Sequence, residues 1–169
     1  MECEVAAARP AELDLTVCAR RTEPPPQPRI AILQAIPKGD RGELAVELMT
    51  EAGADVIVPW AAQRSVAVWR GDRGARSLAR WISTAEQAAK QSRRSWFPEV
   101  TEQADLAAAA RRISAAALAI VLDPDAPEPL TAAAVPAEGE VVLVVGPEGG
   151  ISPAENDAFL AAGAARDFR

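Results

Sequence analysis

A chain of 169 residues that is 49% hydrophobic but only 4% aromatic is long enough for one α/β core with a small addition. It has no histidine, which excludes a Ser-His-Asp triad, a Cys-His pair and any His-ligated metal site; no apolar run is long enough for a transmembrane helix. The net charge of −6 argues, taken as a sum, against a nucleic-acid partner.

The opening stretch MECEVAAARP has no basic segment leading into an apolar one, so it is not a secretory signal, and a cytoplasmic protein without metal or membrane association is expected. Cys3 and Cys18 lack a C-x-x-C partner and are expected to be reduced structural thiols. Leu13, Leu15 and Val17 alternate with Asp14 and Thr16, the pattern of a half-buried strand. A segment this short cannot form a core alone, so residues 1–23 read as the last strands of a domain whose beginning is absent. Residues 24–28, PPPQP, form a stiff extended linker.

From residue 29 onward strands and helices alternate. Residues 29–35 (RIAILQA) give the first strand. Asp40 and Glu43 set an Asp-x-x-Glu helix start, Leu44, Leu48, Met49 and Ala52 recur at helical spacing, and Gly53 suits the stop. A second strand is expected over 55–59, followed by Trp60 and Gln63-Arg64-Ser65. A helix over 75–95 carries Leu78, Ile82, Ala85 and Ala89 on one face and Arg76, Arg80, Lys90 and Arg94 on the other. Trp81 and Trp96 bracket it and are expected to pack rather than stack on bases. A helix over 102–113, a strand over 116–122 ending at Asp123-Pro124, a strand over 141–145 and a helix over 152–162 follow. A further strand starts at 167–169. This order predicts an α/β fold, a mostly parallel sheet with helices on both faces, over residues 29–169.

Two features carry chemistry. Val141 to Val145 is an unbroken apolar run, as in a strand buried on both faces. It opens into Gly146-Pro147-Glu148-Gly149-Gly150, and Ser152, Pro153 and Glu155 then supply N-cap, N1 and N3 of a capping box. A bare loop at the carboxyl end of a parallel strand is where open α/β sheets bind ligands, although a corner that needs glycine only to turn has the same local pattern. The loop matches neither common phosphate-binding glycine motif, and Glu148 disfavours an anionic group. A ligand with hydroxyls, an amino group or a positive centre suits it better. The second feature is charge: residues 64–94 hold eight basic side chains against only Asp72 and Glu86. That local excess on an acidic chain fits either a phosphate-contacting face or a solvated helix surface.

LVVGPEGGISPAE closely resembles the signature loop of the RsmE family of ribosomal RNA uridine-N3 methyltransferases, within the SPOUT (α/β-knot) superfamily. Lys38, Arg41 and Glu43, EAGADVIVPW with Gln63-Arg64-Ser65, and AAKQSRR followed by FPEV are similar to further family segments in the same order. The resemblance implies a homodimer that binds S-adenosylmethionine within a trefoil knot and methylates N3 of a uridine in 16S rRNA of the small subunit. It would place Leu122, Asp123, Pro124, Gly146, Pro147, Glu148, Gly149 and Gly150 around the cofactor, and Arg41, Arg64, Gln91, Arg93 and Arg94 against rRNA. Glu148 is the one candidate for a catalytic group, with bracing of the loop as its alternative role. Residues 1–23 would be the tail of a PUA-like β-barrel. The family's closing segment, which ends in Arg-Thr-Glu-Thr, is missing after Arg169, so the chain as it stands is expected to bind cofactor weakly and not to turn over. A non-catalytic rRNA-binding module and another coenzyme-binding α/β enzyme remain alternative readings of the same residues.

Overall fold

In a computed structural model, which describes residues 1–166 and 168–169, the chain opens with an antiparallel hairpin of β1 (Glu2–Arg9) and β2 (Glu12–Ala19). Val5 faces Leu15 and Cys3 faces Val17 across it, which puts the alternating apolar residues on one face as expected. That face is open rather than half-buried: Leu13, Leu15 and Val17 are all exposed. Cys3 and Cys18 are free and exposed as well, so neither is a packed structural thiol.

The apolar runs that follow form β3 (Arg29–Ala35), β4 (Val56–Trp60), β5 (Glu99–Val100), β6 (Leu118–Val121) and β7 (Glu140–Val145). They make one parallel sheet in the order β5-β4-β3-β7-β6. Between them run α1 (Arg41–Glu51), α2 (Gly71–Gln91), α3 (Leu106–Ala115) and, last, α4 (Pro153–Ala161). Strand periodicity sorts the side chains into two cores. Ala31, Leu33, Val56, Val58, Trp60, Val142 and Val144 meet Ala109 and Ile113 of α3 and Phe159 of α4 on one face. Ile57 and Ile32 meet Val46 of α1 and Trp81 and Ala85 of α2 on the other. This is the predicted α/β architecture with helices on both faces.

Several local expectations are corrected by packing. Leu44 and Leu48 are 54% and 56% exposed, and α1 buries Gly42, Val46 and Thr50 instead. The reason lies at Gly42, where a Cβ would sit 2.8 Å from Trp81 Nε1. Only glycine lets α1 close onto that indole, and this contact turns the leucines outward. Asp40 occupies the N-cap of α1 without a side-chain cap bond, and the Glu43 carboxylate, which would close the reciprocal half of a capping box, pairs with Arg80 instead, 3.1 Å from its Nε. Trp81 is core, but Trp96 is 46% exposed and its Nε1 donates to Pro24 O at 3.1 Å, bracing the linker.

The short β5 and a 3-10 turn at Leu130–Ala132 had no strong signal in the sequence. Asp167, in the strand start expected at 167–169, lies outside the described residues. On either side of it, Ala165 pairs with Ile120 and Phe168 with Glu128, both in parallel sense. Among the described residues no helix is long and apolar enough to cross a membrane.

Candidate functional site

Parallel strands point all their carboxyl ends the same way, so the loops after β3, β4, β6 and β7 gather at one end of the sheet. There Leu122–Asp125 after β6, and Val145, Gly146, Pro147, Glu148, Gly150 and Ile151 at the end of β7 and just after it, line a cavity of about 780 Å³, with Arg64 of the β4–α2 loop also in its wall. That volume is in the range that holds a drug-sized ligand, roughly 300–1,000 Å³. The two loops expected from the sequence to meet a common ligand therefore do lie together.

The glycine loop is built tightly. A Cβ on Gly146 would stand 2.8 Å from Ile151 Cγ1, and one on Gly149 would stand 3.3 Å from Arg64 Cβ. Gly150 has φ +74°, the left-handed region that glycine enters at no steric cost, and its N–H donates to Pro147 O at 2.8 Å. The capping box read from the sequence is formed: Ser152 Oγ accepts from Glu155 N–H and Glu155 Oε2 from Ser152 N–H. Glu155, only 4% exposed, does more than cap. Its Oε1 accepts the Gln63 N–H at 2.6 Å, which clamps the β4–α2 loop to the start of α4. Arg64 completes this junction by donating from Nη1 to Gly149 O at 3.1 Å.

Glu148 braces the loop from the opposite side. Its Oε1 accepts the Lys38 N–H at 3.2 Å and lies 3.7 Å from Arg41 Nη1. Its own backbone N–H, then that of Lys38, and the nearby Arg41 and Lys38 charges hold its carboxyl below the usual glutamate range. This is the wrong direction for a base that must accept a proton near neutral pH. Asp123 is likewise held low, first by the Asp125 N–H and then by Arg166, whose Nη2 is 2.6 Å from Asp123 Oδ2.

Leu122, Asp123, Pro124, Gly146, Pro147, Glu148 and Gly150 line the cavity, Gly149 touches it through Arg64, and Arg41 stands beside Glu148. Gln91, Arg93 and Arg94 do not join them. The 21 residues of α2 run about 30 Å from the carboxyl end of the sheet to its amino end, carrying these three residues away from the cavity. Gln91 and Arg93 are exposed there. Arg94 does not face outward at all: its guanidinium donates to Thr50 O, Ala54 O and Asp55 Oδ1 and is 13% exposed. The expectation that Arg94 meets RNA is corrected, because a guanidinium so engaged has little left for a phosphate.

Sequence reasoning missed Asn156, Asp157 and Arg166 in the cavity wall. The first two sit on the first turns of α4, one helical turn beyond the cap, and helix geometry alone would have found them. Arg166 carried no local signal, since it reaches the cavity only through the pairing of Ala165 with β6. Asn156 Oδ1 is buried without a hydrogen-bond partner among the described residues, which is costly.

Residues 23–166 match the RNA methyltransferase domain family. A ribosomal RNA small subunit methyltransferase E from Mycobacterium tuberculosis is 41% identical over 166 residues, covering 96% of this chain and 63% of the relative. The chain thus spans somewhat under two thirds of that relative's length. Two solved structures share its fold. A methyltransferase from Legionella pneumophila, in complex with bound S-adenosylmethionine, has TM-score 0.77 and 26% identity, covering 83% of this chain and 57% of the other. A ribosomal RNA small subunit methyltransferase E from Neisseria gonorrhoeae bound to S-adenosylmethionine has TM-score 0.70 and 26% identity, covering 82% and 57%.

Proposed function

The chain belongs to the RNA methyltransferase domain family, of the RsmE type, and from that premise we propose that it methylates N3 of a uridine in the 16S rRNA of the small subunit, taking S-adenosylmethionine into the cavity beside β6 and β7. The observation that carries this reading is the meeting of Leu122–Asp125 and Gly146–Ile151 in one cavity at the carboxyl ends of adjacent strands.

The cavity suits the cofactor. Four carboxylates, Asp123, Asp125, Glu148 and Asp157, line it against Arg64, Arg166 and Arg169, a balance that accepts an amino group and a cationic centre. Glycines at 146, 149 and 150 leave backbone groups open to a ligand. When bound, S-adenosylmethionine supplies a methyl group activated on a sulfonium.

The residues of the chain act chiefly by alignment. Glu148, tied to Lys38 and Arg41, is a positioning residue that fixes the glycine loop. Arg64, exposed at the rim and anchored on Gly149 O, presents a cation to an incoming phosphate. The homodimer and the trefoil knot belong to the same proposal, with Ala165 and Phe168, paired to Ile120 and Glu128, as part of the threaded segment. So does the assignment of residues 1–23 to the tail of a PUA-like barrel.

The test is calorimetric titration with S-adenosylmethionine and S-adenosylhomocysteine, together with labelled methyl transfer to small subunits that lack the modification. Binding of both compounds, with the label at N3 of one uridine, is expected of a version extended to the length of the curated relatives, of which this chain spans 63%. Absence of heat and of label would sink the proposal, whereas salt-dependent rRNA binding without label would favour the non-catalytic module.

A further inference from the structure

Of the rRNA contacts that the family resemblance implies, Arg41 and Arg64 stand near the cavity, whereas α2 delivers Gln91, Arg93 and Arg94 to the far side of the sheet from it. The amino-terminal half of α2 lies on the near side. Arg73, Arg76 and Arg80 recur there at spacings of three and four, on one face of the helix. Arg73 and Arg76 are exposed and have no ion-pair partner among the described residues, whereas Arg80 is tethered to Glu43.

Beside this row lies a second cavity of about 540 Å³, between the β3–α1 loop (Pro37, Gly39, Asp40) and the Val66–Trp69 segment of the β4–α2 loop, with Arg73 and Arg80 in its wall. It shares no lining residue with the first cavity, but the β3–α1 corner reaches both. Lys38 and Arg41, which hold Glu148 in the wall of the first, belong to the same β3–α1 corner that walls the second. Val66 and Val68 are 69% and 56% exposed, and Trp69 is half-buried, edge-on to Trp81 at 4.9 Å between ring centroids. Asp40 is the acidic residue of the wall that lacks an ion-pair partner among the described residues.

We propose that this second cavity, with its row of Arg73, Arg76 and Arg80, is a docking site for an unpaired RNA segment next to the target nucleotide. The arginines take phosphates and the Val66–Trp69 segment takes a base. The inference rests on the rRNA reading above and adds where the strand lies. Guanidinium groups beside exposed apolar side chains fit a single strand, whose bases are free to leave their stack. A duplex would present only phosphates and a shallow groove to this surface. On a chain of net charge −6, Arg73 and Arg76 thus put cations without ion-pair partners among the described residues at the end of the sheet that holds the first cavity.

The experiment measures fluorescence anisotropy of a labelled single-stranded oligouridylate and of an RNA duplex of equal length, over a salt series. It compares the wild type with Arg73→Ala/Arg76→Ala and with Val66→Ser/Val68→Ser. The arginine pair is expected to lower the slope of log affinity against log salt by about 1.4, at roughly 0.7 per single-strand phosphate contact. The valine pair should weaken the single strand several-fold while leaving the slope and the duplex affinity unchanged. An unchanged slope in the arginine variant overturns the docking site. So does a valine variant that loses self-association in sedimentation while keeping its RNA affinity, because the surface would then be an interface between copies. Calorimetry with S-adenosylmethionine on a version extended to the length of the curated relatives keeps the two readings distinguishable: absence of binding there, with a salt slope sensitive to Arg73 and Arg76, refutes the methyltransferase and supports the docking site.

Discussion

Replacing Arg94 with alanine is expected to destabilise the fold rather than to weaken RNA binding. Arg94 Nη2 is 2.8 Å from Asp55 Oδ1, and Nη1 donates to Thr50 O at 3.0 Å and to Ala54 O. Asp55 in turn accepts the Ile30 N–H at 3.0 Å. One side chain thus joins the ends of α1 and α2 to the first residues of β3 and β4. The two partners are 13% and 9% exposed, so alanine would leave a nearly buried carboxylate without its cation and two carbonyls without a donor. Breaking such a pair costs 3–5 kcal/mol, and because the site borders solvent the lower figure of about 3 kcal/mol applies. For a chain of this size that lowers Tm by roughly 6–12 °C. Arg94→Lys should fall between, since a lysine restores the charge without the planar fork that reaches three acceptors. Urea unfolding followed by tryptophan fluorescence reads the stability, and anisotropy reads RNA affinity on the folded fraction. An alanine variant with its urea midpoint unchanged and its RNA affinity reduced would refute the structural role.

Three further outcomes follow from the same geometry. Arg93 holds φ +55° just past the C-cap of α2, where glycine is the usual residue, so Arg93→Gly should raise stability by roughly 0.5–1 kcal/mol in urea titrations. Gly146→Ala places a Cβ 2.8 Å from Ile151 Cγ1; a loss of roughly 1–3 kcal/mol and weaker S-adenosylmethionine binding are expected, read by thermal unfolding and calorimetry. Glu148 has a folded pKa below its unfolded value, so what its carboxylate contributes is present above the ordinary glutamate range and is lost as pH falls through the lowered folded value. Cofactor affinity should therefore stay level from about pH 8 down to about pH 5 and decline only below the ordinary carboxylate range of about 4.3. Glu148→Gln should shrink that acid limb to what the likewise lowered Asp123 contributes. A methyl-transfer rate that titrates between about pH 6 and 8 in the wild type and is flat in Glu148→Gln would instead make Glu148 the base.

The parts of the fold that the sequence made legible are those governed by local periodicity. Residues 141–145 carry enough consecutive β-branched side chains that no helix competes, residues 29–35 read as an apolar run before the Asp40 helix start, and both strands lie where they were expected. The helix stops at Gly53 and Gly163 hold for the same reason, with φ +103° and +100°. Periodicity failed at α1, where Leu44 and Leu48 form as good an apolar stripe as Val46 and Thr50. The choice between the two faces was made by Gly42 against Trp81, a contact between residues 39 positions apart. β5 is two residues long and exists only because β4 offers it an edge.

The candidate site divides along the same line, but with a twist that bears on how motifs are read. The cap box at Ser152 and Glu155 is a local pattern, and its local part formed as written. One oxygen of the Glu155 carboxylate suffices for the cap, which leaves the other for the Gln63 N–H, 92 residues away in sequence. A capping residue on the surface would give that second oxygen to water, so its burial, and not its identity, made it a tertiary clamp. The clamp sets Gln63, and with it Arg64, against Gly149. It thereby decides that the β4–α2 loop leaves the cavity rim toward the Val66–Trp69 segment and that α2 starts beside the cavity. From there the length of α2 does the rest: a helix of 21 residues must carry Arg73 near the cavity and Arg93 far from it. The basic stretch that reads in sequence as one continuous patch is therefore split by a single rigid element into two surfaces at opposite ends of the sheet, and only the first can share a nucleotide with the glycine loop of the same chain.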